Sequence, residues 1–185
     1  MTEPAFRTMT EEEYLRWDGP REGKWEFVDG FVYAQAGASR PHNQIASNIQ
    51  RVLLPATADG RCWSYTSDQK VCVYRDGCSR YYLPDLVVVC DSNLAGDVET
   101  TPCLIVEILS ASTRAVDESF KASDYRRLDS LQGYLLVDSE ARSVEFHRRV
   151  GTGTEWQLEV VDTSVDLPCL SVSLSVDDIY RHVGL

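Results

Sequence analysis

Residues 81–91, "YYLPDLVVVCD", and residues 102–110, "PCLIVEILS", decide the fold. Each is an apolar run, rich in β-branched residues, that does not alternate with polar positions. Such runs suit strands covered on both faces. Pro84 then belongs at the beginning of its strand, where a missing N–H is tolerated. Each run also carries an isolated carboxylate, Asp85 in the first and Glu107 in the last third of the second. A buried carboxylate is costly unless it is paired, hydrogen-bonded or bound to a cation, and two on adjacent strands repel. An Mg²⁺ or Mn²⁺ ion between them would remove both penalties, because hard cations take carboxylate oxygens. It could also lower the pKa of a bound water. The competing reading is that Asp85 caps a turn after Pro84 while Glu107 pairs with Lys121 or an arginine.

Upstream, Thr10 and Glu13 form a capping-box pattern for a helix from Thr10 to about Trp17, ended by Asp18-Gly19-Pro20. Residues 24–34, "KWEFVDGFVYA", read as a hairpin about Asp29-Gly30. Ile45, Ile49, Val52 and Leu53 mark one face of a helix that Pro55 closes. Short strands follow near Cys62–Thr66 and Gln69–Tyr74, with Asp76-Gly77 as a turn. Downstream, residues 91–101 read as a polar loop and Asp117 as the cap of a helix reaching about Leu128. "GYLLVD" (133–138) is a buried strand; "SVEFHRR" (143–149) and "EWQLEVV" (155–161) form an edge hairpin; Ser175 and Asp178 cap a last helix. The order predicts an α/β fold with a mixed β-sheet flanked by helices, in one domain over 1–185.

The 185 residues carry a formal net charge of −11, which argues against a large basic footprint for nucleic acid. Two short basic pairs, Arg126-Arg127 and Arg148-Arg149, are the thin exception. No apolar run is long enough to cross a membrane and no signal-peptide layout opens the chain, so a cytoplasmic setting is expected. The six cysteines form no Cys-x-x-Cys pair and mostly lie in apolar stretches such as "VCVY" (71–74) and "VVVC" (87–90). They read as buried free thiols, although their even number leaves disulfides open. No P-loop, dinucleotide fingerprint or nucleophile elbow is present.

Taken together, "WEFVDGFVYAQAGASRPHNQIASNI" (25–49), "YYLPDLVVV" (81–89), "LIVEILSAST" (104–113) and "DESFKASDYRRLDSLQGYLLVD" (117–138) resemble the Uma-two family of restriction endonucleases, within the PD-(D/E)XK nuclease superfamily. The resemblance covers nearly the whole chain and implies a restriction-endonuclease-like fold. It implies that Asp85 and Glu107 are metal ligands for Mg²⁺ or Mn²⁺ and that Glu26 completes the metal shell. The superfamily places a lysine two residues after the acidic one, where this chain has Leu109. The resemblance offers Lys121 on the following helix instead, with Lys70 in "DQKVCV" as its rival. His42 would contact phosphate or help cap its helix. "GAS" (37–39) could hold an anion at that helix start, though a plain turn and cap is the simpler reading. The activity so implied is metal-dependent hydrolysis of DNA phosphodiester bonds. Cutting both strands calls for two sites, hence a homodimer. The absent lysine at 109 and the charge of −11 favour the alternative, a nuclease fold retained as a binding or assembly module. A hydrolase acting on a small phosphorylated substrate is the third reading.

Overall fold

The Thr10 hydroxyl accepts the Glu13 N–H at 3.2 Å and the Glu13 carboxylate accepts the Thr10 N–H at 2.7 Å. This reciprocal cap starts α1 (Glu11–Arg16), behind a short β1 (Phe6–Thr8) with no counterpart in the expected strands. The structure, a computed structural model, describes residues 6–17, 23–35, 37–90 and 96–185. The expected stop at Asp18-Gly19-Pro20 lies outside the described residues. The next hairpin, β2 (Trp25–Val28) and β3 (Phe31–Ala34), turns on Asp29 and Gly30, both at positive φ (52° and 86°). Two left-handed residues are what a tight right-twisted hairpin needs. Ser39 caps α2 (Arg40–Ala56), which buries Ile45, Ile49 and Leu53.

Then come β4 (Trp63–Thr66), β5 (Lys70–Arg75), β6 (Cys78–Tyr82), β7 (Leu86–Val89), β8 (Val98–Glu99) and β9 (Pro102–Leu109). A π-helical segment (Val116–Lys121) runs into α3 (Ala122–Tyr125), followed by β10 (Gly133–Asp138), β11 (Val144–Arg149) and β12 (Trp156–Val160). β13 (Ser164–Leu167), β14 (Val172–Ser175) and α4 (Val176–Ile179) complete the order.

These elements build a mixed α/β fold with two six-stranded sheets and a two-stranded one, flanked by few helices. The central sheet runs β12-β11-β10-β9-β7-β4, and the other β1-β3-β2-β6-β5-β8. Within the central sheet only β9 and β10 are parallel. A parallel pair needs a crossover, and the π segment and α3 supply it. One face of the central sheet (Leu86, Val88, Val106, Ile108) packs on α2, α4 and the β13–β14 hairpin. The other (Val87, Val89, Ile105, Leu109) packs on α3 and on Val71, Val73 and Tyr82 of the second sheet. Both faces of β7 and β9 are therefore covered, which is why neither sequence alternates.

Three expectations need correction. Residues 91–101 are not all loop, because Val98 and Glu99 pair in parallel with Lys70 and Val71. Asp117 is not a cap; it lies inside the π segment and is buried, and Ala115 stands at the cap without a side-chain bond. Four of the six cysteines are not free thiols: Cys62 is joined to Cys90, and Cys103 to Cys169. Cys62 and Cys90 sit one step beyond the paired Trp63 and Val89, so strand register brings them together. Cys169, in the β13–β14 turn, ties that hairpin to β9. Cys72 and Cys78 remain free. Unreduced protein unfolded in denaturant should therefore titrate two thiols of six. Reduction should lower the melting temperature, since links spanning 28 and 66 residues restrict the unfolded chain. Six titratable thiols without reductant would contradict the pairing.

Candidate active site

Strand register places the two diagnostic carboxylates. Leu86 pairs with Val106 across the antiparallel β7–β9 ladder, so Asp85 comes opposite Glu107 one step further on. By alternation both belong to the face that carries Val87, Val89 and Ile105. Pro84 stands just before β7, leaving Asp85 at the strand's mouth. Asp85 Oδ2 accepts the Ile108 N–H at 2.7 Å and lies 3.1 Å from His42 Nε2.

Glu107 is deeper. Its Oε1 is 3.2 Å from Lys121 Nζ and accepts the Tyr125 hydroxyl at 3.1 Å. Lys121 comes from the end of the π segment, and its ammonium is shared: Glu26 at 2.9 Å, Glu107 at 3.2 Å and Asp117 at 3.3 Å. The Lys121 side chain is only 6% exposed, so these contacts are dry. Glu26, from β2 of the second sheet, is held by the Gln35 amide and the Leu83 N–H, each at 3.0 Å. The second bond ties it directly to the Leu83-Pro84-Asp85 segment.

Three carboxylates (Glu26, Glu107, Asp117) thus converge on one buried ammonium, with Asp85 opposite Glu107 on the neighbouring strand, and the charges do not balance. Burial pushes the Glu107 carboxyl well above the ordinary range; Lys121 pulls it back, while Asp117, Asp85 and Glu26 push it further up. Asp117 is likewise raised by burial, against the pull of Lys121. Burial opposes the charge of Lys121, yet Glu107, Glu26 and Asp117 together hold its pKa well above the usual lysine value. The cluster is electron-rich, with hard oxygen donors and surplus negative charge.

Among the described residues, no three His, Cys, Asp or Glu side chains form a ready-made metal cage. The donor set still fits a magnesium-like ion, which is bound through one or two carboxylates and keeps several waters. Asp85 and His42 are the least buried members, at 17% and 15%, so the cluster opens to solvent on their side.

The other expected residues fall as follows. His42 spends its Nε2 on Asp85, so the expected phosphate contact is left to Nδ1, which is buried without a hydrogen-bond partner. Ser39 of "GAS" accepts the His42 N–H and is a plain cap. Lys70 Nζ lies 5.8 Å from the centre of the Tyr14 ring. Three of the four paired arginines serve the fold, while Arg127 is exposed and 3.9 Å from Asp76. Arg126 meets His147 Nδ1 at 2.7 Å, Arg148 donates to the Asp166 carbonyl, and Arg149 donates to the carbonyls of Leu131, Gly153, Arg126 and Leu128. Sequence reasoning missed Asp117 as a partner of Lys121. The signal was present: an acid four residues before a lysine on one helix. Tyr125 and Gln35 gave no such signal.

This is a nuclease-like fold. A solved chain from Anabaena variabilis, described as a putative nuclease belonging to DUF820, superposes with a TM-score of 0.73, covering 95% of this chain and 99% of that one at 18% identity. The Uma2 family, described as "Putative restriction endonuclease", matches residues 11–177, and the chain belongs to that family. Two uncharacterised Synechocystis proteins are similar along most of their length. One, slr1290, is 32% identical over 97% of this chain and 95% of its own length. The other, sll1609, is 31% identical over 85% and 90%. No described helix is long and apolar enough to cross a membrane.

Proposed function

We propose that this chain is a divalent-metal-dependent nuclease of the PD-(D/E)XK type, hydrolysing phosphodiester bonds in DNA. The observation that carries the reading is the gathering of four carboxylates against one ammonium at the β7–β9 mouth. Asp85 and Glu107 would hold Mg²⁺ or Mn²⁺, with Glu26 close behind. The bound ion would supply a lowered water pKa and charge stabilisation at phosphorus. The protein's own residues do the rest. The Ile108 N–H and His42 orient Asp85. Tyr125 and Lys121 orient Glu107. Lys121 has no counterpart at Leu109, so the positive charge reaches the site from the crossover helix. With the carboxylates so compensated, the Lys121 ammonium would be available to neutralise phosphate or steady the attacking water. The low exposure around Lys121 keeps these interactions strong.

The test is Mn²⁺-dependent cleavage of plasmid DNA. Wild-type protein should nick or linearise the plasmid, and Asp85→Ala should lose at least about 10²-fold in rate. The internal use of three of the four paired arginines, with the net charge of −11, favours the second reading, a binding or assembly module. Absence of cleavage with Mg²⁺ and Mn²⁺, alongside retained metal binding, would select it.

Metal binding has its own readout. Mg²⁺ or Mn²⁺ should raise the melting temperature, because an ion that binds only the folded state stabilises it by mass action. Glu107→Gln should abolish that rise. It should also leave the metal-free protein as stable as wild type or more so, since a carboxyl with a raised folded pKa destabilises the fold once pH exceeds its unfolded value of about 4.3. Equal metal-induced shifts in both proteins would count against Glu107 as a ligand.

A further inference from the structure

We propose that β12 is a self-complementary edge through which two copies of this chain pair, joining their central sheets into one.

β12 ends the central sheet, and Gln157, Leu158, Glu159 and Val160 are all exposed. The ladder to β11 fixes which backbone groups are free. Val161 N–H reaches the Val144 carbonyl and Val150 N–H reaches the Glu155 carbonyl, both at 2.9 Å. In an antiparallel ladder hydrogen-bonded pairs alternate. The odd-numbered residues of β12 therefore bond inward to β11, and Trp156, Leu158 and Val160 point their N–H and C=O groups outward. The same three side chains share one face, where Leu158 is 53% and Val160 65% exposed.

Natural edges are usually blunted by lysine, proline, a bulge or shortness. β12 contains no lysine and no proline, and its register with β11 runs unbroken over five pairs. A two-fold axis at Leu158 would oppose Leu158 to its copy, and Trp156 to Val160 of the partner subunit. These are all outward-bonding positions, so every opposed pair can exchange its two hydrogen bonds. The apolar face then meets its own copy. On the opposite face Gln157 falls across from Glu159 of the partner subunit, an amide donor beside a carboxylate, and no like charges are opposed. A one-residue slip would set inward-bonding groups against outward ones, and a two-residue slip would oppose Glu159 to its own copy or to Glu155 of the partner subunit. The pattern thus selects a second copy in one register over an arbitrary extended peptide.

Sedimentation equilibrium up to about 100 μM reads the association. The full chain should approach twice its 20.8 kDa mass. Leu158→Lys should run as a monomer with an unchanged circular dichroism spectrum and melting curve. In a Cys78→Ser background, Leu158→Cys should crosslink the dimer on oxidation, because the two copies sit about 5.5 Å apart in that register. Val160→Cys should not, its copies being roughly 13 Å apart along the strands. Wild-type protein that stays monomeric, a Leu158→Lys dimer, or crosslinking no better at 158 than at 160 overturns the proposal.

Discussion

Lys121→Met is expected to lower the unfolding free energy by about 3–5 kcal/mol, the scale for removing one member of a buried charge set. Three carboxylates, Glu26, Glu107 and Asp117, share that ammonium in a site where it is 6% exposed. Methionine fills similar space and leaves the carboxylates facing one another. Part of the cost is relieved by proton uptake, and the sign is fixed by the raised pKa values of Glu107 and Asp117. Without the lysine those values rise further. A raised carboxyl favours the fold below its unfolded pKa, about 4, and loses that contribution as pH climbs. The defect in Lys121→Met should therefore be greatest near pH 8 and smallest near pH 5. Urea unfolding at the two pH values measures it, and midpoints equal to wild type at pH 8 would refute the buried-cation role. Cleavage should fall by roughly 10²-fold while metal binding persists, since the lysine serves phosphate and water and not the ion.

Asp124→Ala should be comparably damaging, at about 3 kcal/mol or more, although it lies outside the candidate site. Asp124 is fully buried and accepts from Arg75 at 2.5 Å, Arg80 at 2.8 Å and the Tyr82 hydroxyl at 2.5 Å. Arg80 also forks onto Asp29 in the β2–β3 turn, at 2.9 and 2.6 Å. One carboxylate thus fastens the second sheet to the crossover helix. Burial works against the Asp124 charge, but the bonds from Tyr82, Arg80 and Arg75 outweigh it and hold the pKa below the ordinary aspartate value. A depressed carboxyl stabilises the fold above its unfolded pKa, about 3.9, and loses that contribution as pH falls through the folded value. Asp124→Asn should accordingly flatten the acid limb of the stability curve. An acid limb unchanged in Asp124→Asn would show that the docking rests on apolar contact alone.

The strands that carry Asp85 and Glu107 were readable because burial on both faces erases alternation, and a single carboxylate stands out against such a run. The β2–β3 turn was readable because two left-handed residues leave a mark in composition. What could not be read was assembly. Nothing local in Val98-Glu99 announces a strand, since two residues have no period and their pairing is with Lys70 and Val71, distant in the chain. The cysteines misled because apolar surroundings suit a buried thiol and a disulfide equally. Only the β4–β7 register distinguishes them for Cys62 and Cys90. Asp124 was invisible because its partners lie 42, 44 and 49 residues away in the chain. The lysine could be placed on a helix from sequence, but its three-way contact depended on Glu26 arriving from another sheet.

The π-helical segment between Val116 and Lys121 has a consequence of phase. A π turn holds one more residue than an α turn, usually as a single-residue insertion within an otherwise α-helical stretch. On an α-helix each residue advances the direction of its side chain by about 100°. Removing one residue between Asp117 and Lys121 would let the segment relax to α geometry. Either the ammonium or the Ala122 and Tyr125 packing face could then keep its heading, but not both. The extra residue lets one short helix serve two alignments: the apolar face seats against the sheet at its own angle, and the lysine points at Glu107. Among relatives, chain length across this segment should therefore be held as tightly as the identity of the charged residues themselves.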